Sequence, residues 1–67
     1  MKSKQMSRTL AIEIATKAMS VINPANRSLR VLDLLEKHGF DRVAEPEIDI
    51  ISDQTRLARW LRDTFRT

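Results

Sequence analysis

Apolar side chains recur at helical spacing over three stretches of the chain. In the first, Leu10, Ala11, Ile12, Ile14, Ala15, Ala18, Met19, Val21 and Ile22 wind around slightly more than half of a helix circumference. Glu13, Thr16, Lys17 and Ser20 take the remainder. This pattern predicts a first helix from about Ser7 to Ile22. A surface helix needs an apolar stripe only about 100° wide. The wider arc predicts contact with two neighbours. Ala11, Ala15 and Ala18 lie at its centre, where small side chains let another helix approach closely.

The second stretch carries its own end signals. Asn23 is a good N-cap, and Pro24 suits the first helical position, where a missing N–H costs nothing. Gly39 suits a left-handed stop after His38. Between them Leu29, Leu32 and Leu35, with Val31 and Leu34, are expected to supply the buried face, and Phe40 to fold back on the last turn. In the third stretch Leu57, Ala58, Trp60, Leu61 and Phe65 share one face. Ser52 or Asp53 caps a helix that runs to about Arg66.

The segment from Asp41 to Ser52 follows no helical period. Glu47, Ile48, Asp49 and Ile50 alternate, as on a strand with carboxylates on one face and isoleucines on the other. A lone short strand has nothing to pair with inside one chain. The competing reading is a helical turn begun at Pro46. The extended or irregular reading of 41–52 is favoured, with a short extended segment around 47–51. The expected fold class is all-α. A small bundle of three main helices would form a single domain over 7–67, with a flexible basic N-terminus over 1–6.

Length sharpens this picture. A chain of 67 residues buries only about 60 % of the surface its unfolded form exposes. Small domains offset that deficit with disulfides, metals or self-association. Cysteine is absent and histidine occurs once, so disulfides and thiolate or all-imidazole metal sites are ruled out. Self-association remains, and the over-wide first helix is its natural seat. A homodimer through Ile12, Ala15, Met19 and Ile22 is expected. No apolar run reaches the roughly 20 residues that cross a bilayer, and Met1 to Ser7 lack the layout of a signal peptide. The expected location is the cytoplasm, without a membrane partner.

Net charge is +3, and its distribution says more than its size. Both ends are basic, whereas 41–53 sets Asp41, Glu45, Glu47, Asp49 and Asp53 against Arg42 alone. On the last helix Arg56, Arg59, Arg62 and Arg66 fall within a third of the circumference, opposite the apolar face. Guanidiniums so arrayed can hold phosphate oxygens or read guanine edges bidentately. Lys2, Lys4 and Arg8 would add backbone contacts. The plainer alternative is a solvated face, or pairing with 41–53 of the same or a second chain.

The run Gln54-Thr55-Arg56-Leu57-Ala58-Arg59-Trp60-Leu61 resembles the second helix of a helix-turn-helix DNA reader, with Leu57 and Trp60 as its two buried apolar positions. The half before it departs from that pattern. Ile51 stands where the turn glycine belongs, and Glu47 beside Pro46 where the first helix needs a small residue.

Other chemistries find little support. Glu45, Glu47, Asp49 and Asp53 lack the glycine of a cation loop and are interrupted by isoleucines, so no metal is expected. His38 beside Gly39 reads as a helix end, where the dipole favours a cation, more than as a catalytic base. Trp60 reads as core, with an interface anchor as its alternative. No glycine-rich phosphate loop or nucleophile motif is present. The expectation is a non-enzymatic binding module without catalytic residues, cofactor or small-molecule substrate. Two classes remain: a dimeric nucleic-acid-binding regulator using the C-terminal helix, or a protein–protein interaction module (adaptor, inhibitor or antitoxin-like) docking through its helical surface.

Overall fold

The computed structural model describes residues 5–66. The chain folds as α1 (Arg8–Met19), α2 (Pro24–Lys37), α3 (Ile48–Ile51) and α4 (Gln54–Thr64), and the described residues contain no strand. It is an all-α bundle of three main helices with one short extra turn. Two of the three main starts follow the capping chemistry read from the sequence. Asn23 Oδ1 accepts from the Ala25 and Asn26 N–H groups at 2.9 and 3.4 Å. Asp53 Oδ1 accepts from Arg56 N–H at 3.0 Å. The third cap is Ser7, whose hydroxyl accepts from Leu10 N–H at 3.1 Å. Each satisfies a donor that the helix itself leaves unpaired.

The stop of α2 is a Schellman turn. Phe40 N–H reaches Leu35 C=O at 2.9 Å, and Gly39 N–H reaches Glu36 C=O at 3.1 Å. Gly39 sits at φ 79°, where a Cβ would crowd the backbone. The reversal aims Phe40 inward. Its ring meets that of Phe65, the C-cap of α4, with centroids 4.8 Å apart and planes tilted by 59°. The ends of α2 and α4 are thereby joined. Gly39→Ala is expected to cost about 1–2 kcal/mol, the usual penalty for a left-handed L-residue. At roughly 4–8 °C per kcal/mol, a thermal melt by circular dichroism should fall by at least several degrees. An unchanged midpoint would show that the turn tolerates a Cβ.

Three expectations need correction. The first helix ends at Met19, not Ile22. Ser20 caps it, its hydroxyl donating to Lys17 C=O at 2.7 Å, while Val21 N–H bonds Ala18 C=O and tightens the last turn. The segment expected to be extended around 47–51 is instead the helical turn α3. The described residues hold no strand to take up its backbone groups, and Ile50, Ile51 and Ser52 N–H all bond back to Glu47 or Ile48 C=O. Within the segment 41–52, residues 41–47 are irregular, as expected. Finally, Leu29 is 51 % exposed. Ser28, one position back, takes the buried place on α2, together with Val31, Leu32, Leu34 and Leu35.

The core lies between α1 and α4, the most extensive contact, with α2 closing it from the other side. Ala11, Ile14, Ala15 and Ala18 of α1 are fully buried among Val31, Leu35, Ile51, Leu57 and Leu61. The wide arc of α1 is therefore covered by two neighbours from the same chain, as its width predicted. Ala15 has no surface left for a second copy. Of the other expected interface residues, Ile12 is 43 % exposed, Ile22 is 89 % exposed and Met19 is half-buried. Met6, assigned by sequence to the flexible tail, is buried against the core. No helix is long and apolar enough to cross a membrane.

A candidate basic groove between α1 and α4

Packing α4 along α1 does something that helical spacing alone does not reveal. It sets the arginine face of α4 beside the first turn of α1. The two walls enclose an open groove of about 700 Å³. Arg59 and Arg62 line it from α4, Arg66 from just past the C-cap of α4, and Arg8 from α1. Met6, Ile12, Ala58 and Phe65 supply its apolar lining. Gln54 and Thr55 stand at the α4 N-terminal end. Gln54 Nε2 donates to Thr16 Oγ1 across the helices at 2.9 Å, and Thr16 Oγ1 in turn donates to Ile12 C=O at 2.8 Å. This bridge adds a polar link between helices whose spacing is set by the core beneath them.

The electrostatics of the groove are one-sided. Among the described residues Asp63 is its only lining carboxylate, and it pairs with Arg66 at 3.1 Å. Arg8, Arg59 and Arg62 are exposed and make no ion pair among the described residues. Their charges are free for an anionic ligand.

The expected stripe of four is split. Arg56 lies outside the groove, and its guanidinium is 4.0 Å from the Asp49 carboxylate of α3. Both side chains are well exposed, so the pair contributes about 0–1 kcal/mol at most. Pairing of the stripe with the acidic stretch thus reaches one arginine only. Lys2 and Lys4 lie outside the described residues.

The remaining candidates take structural places. His38 is the C-cap of α2, and its Nε2 lies 3.9 Å from the Glu13 carboxylate of α1. Trp60 is half-buried against the core. Among the described residues no three of His, Asp and Glu gather where they could hold a metal ion. Helix α3 is a single turn preceded by buried Pro46, so the first helix of a helix-turn-helix is not formed ahead of α4.

One arginine escaped the sequence reading altogether. Arg27 of α2 is half-buried and turned inward. It donates from Nε to Val21 C=O at 2.7 Å and from a terminal nitrogen to Ile51 C=O at 2.9 Å. A longer contact reaches Ile22 C=O at 3.5 Å. It ties the ends of α1 and α3 to α2. No motif marks such a residue, because an arginine on a helix ordinarily reads as surface.

Comparison of the chain with protein-family models, with curated protein sequences and with solved structures gave no match.

Proposed function

We propose that this chain is a non-enzymatic module that binds nucleic acid through its phosphate backbone, with Arg8, Arg59, Arg62 and Arg66 as the contacting residues. The observation that carries this reading is the convergence of Arg8 on α1, Arg59 and Arg62 on α4 and Arg66 just past it on one groove where the single carboxylate among the described residues is already paired. Guanidiniums match phosphate geometry and stay charged throughout the physiological range. The site is complete within one chain. The reading therefore stands without the dimer expected from sequence, and any regulatory role would follow from occupying the nucleic acid.

Titration against a labelled mixed-sequence oligonucleotide at several salt concentrations tests the proposal. Phosphate binding releases counterions, so log K should fall with log salt at roughly 0.9 per phosphate neutralised on a duplex. Four arginines set an upper slope of about 3.6 on that basis. Arg62→Ala should lower the slope by about 1, and Arg56→Ala, outside the groove, should leave it nearly unchanged. A flat titration at low salt with folded protein would end the proposal. A second reading, docking on a protein partner, is favoured by three exposed aliphatic residues that do not line the groove: Ile22, Leu29 and Ile48.

A further inference from the structure

A basic face can meet nucleic acid in two ways. To read a duplex, a helix must stand out as a ridge and enter the major groove, which is about 12 Å wide. To hold a single strand, a protein offers a positively charged channel that follows one backbone and apolar or planar surfaces against which unstacked bases rest. The arginine face of α4 is built in the second way. It forms one wall of a cleft whose other wall is the start of α1, and guanidiniums stand on both sides: Arg8 on one, Arg59 and Arg62 on the other. The lining between them mixes polar Gln54 and Thr55 with apolar side chains, of which Ile12 reaches solvent at 43 % exposure. The Cα atoms of the described residues span 36 × 18 × 17 Å along the principal axes, and a cleft in one face of so small a body does not enclose a duplex. A duplex resting across its mouth could touch the rim arginines but would leave the apolar lining uncovered.

We infer that the groove between α1 and α4 takes single-stranded nucleic acid in preference to duplex, phosphates on the Arg8 and Arg59–Arg62 walls and bases against Ile12 and the guanidinium planes. This rests on the nucleic-acid reading above and adds the form of the ligand. Arginine planes stack on bases as well as pair with phosphates, which lets the same side chains serve both purposes without an exposed aromatic ring. Sequence preference is then weak, because every base presents a flat face.

The test is fluorescence anisotropy with one labelled, unstructured mixed-sequence DNA, as the single strand and annealed to its complement, at the same low salt. The single strand should bind about tenfold or more tightly, on the scale of one base-stacking contact. Ile12→Ser should weaken single-strand binding severalfold with little effect on the duplex, since only a strand inside the cleft reaches that side chain. Arg8→Ser, on the α1 wall, should weaken both forms, the single strand more than the duplex. Both positions are exposed, and a circular dichroism melt confirms that each variant folds. Equal or tighter duplex binding, with both forms weakened alike by Arg62→Ala, would overturn the inference and leave the nucleic-acid reading standing. Binding of neither form would remove both.

Discussion

A chain carrying Leu61→Ala is expected to be largely unfolded at 25 °C. Leu61 is fully buried on α4, within the core that joins this helix to α1. Truncating such a leucine removes its transfer free energy and leaves a cavity that close-packed neighbours fill only in part. The usual cost is about 2–5 kcal/mol. A core in a chain of this length rarely supplies more than about 3–5 kcal/mol, so the loss is comparable with the whole stability. Neither a disulfide nor a thiolate-bound metal can offset it, because cysteine is absent. Far-UV circular dichroism against urea should show the helical signal lost at little or no denaturant. Leu29→Ala is the matched comparison. Leu29 is half exposed, and its truncation should cost well under half as much. Similar midpoints for the two variants would mean that the α1–α4 interface is not where the stability lies.

The contrast between Leu61 and Leu29 also shows what the sequence could and could not disclose. Spacing alone put both on buried faces. For α4 it was right, because the helix has a single narrow apolar stripe. On α2, Leu29 lies beside a stripe already filled by Val31, Leu32, Leu34 and Leu35, and the small Ser28 takes the close approach instead. Which edge of a broad stripe is covered depends on where the neighbour lies, and no single helix records that. Helix ends were far more legible. Asn23, Pro24, Gly39 and Asp53 act through their own backbone neighbourhood, which travels with the sequence. The strand-like alternation of Glu47 to Ile50 misled because a strand is defined by its partner. With none present, local N–H groups closed on carbonyls three and four residues back.

The groove was half legible. Helical spacing placed Arg59, Arg62 and Arg66 on one face, and that is local information. Two things were beyond it. Arg8 joins them only because α1 and α4 pack side by side, a long-range fact. Arg56, one turn earlier on α4, lies outside the groove and beside Asp49 of α3, which is again a long-range fact.

The second large effect is expected at Arg27, the residue with no signal in the sequence. Its guanidinium meets the carbonyl of Val21, just past the end of α1, and that of Ile51, the last residue of α3. Helix ends leave carbonyls without intrahelical donors, and here one planar fork serves such an end at Ile51 and a carbonyl of the link that follows α1. Hydrogen bonds to a charged group are each worth about 1.5–3 kcal/mol. Arg27→Met keeps much of the apolar stem and removes every donor. Partial exposure lets water reach the freed carbonyls, so about 2–4 kcal/mol should be lost in all. Arg27→Lys restores the charge but places it at one point on a flexible stem, without the fork that spans two acceptors. It should recover less than half of the loss. Arg30→Met, three residues on, breaks an exposed pair with Asp33 at 3.1 Å and should cost no more than about 1 kcal/mol. Urea midpoints for the three variants should therefore rank Arg30→Met highest, Arg27→Lys next and Arg27→Met lowest. Hydrogen exchange should localise the damage: the Ser52 amide, bonded to Ile48 C=O, should lose protection earlier than amides in the middle of α4. If Arg27→Met matches Arg30→Met in stability, the fork is incidental, and the position of α3 is set by burial of Ile51 alone.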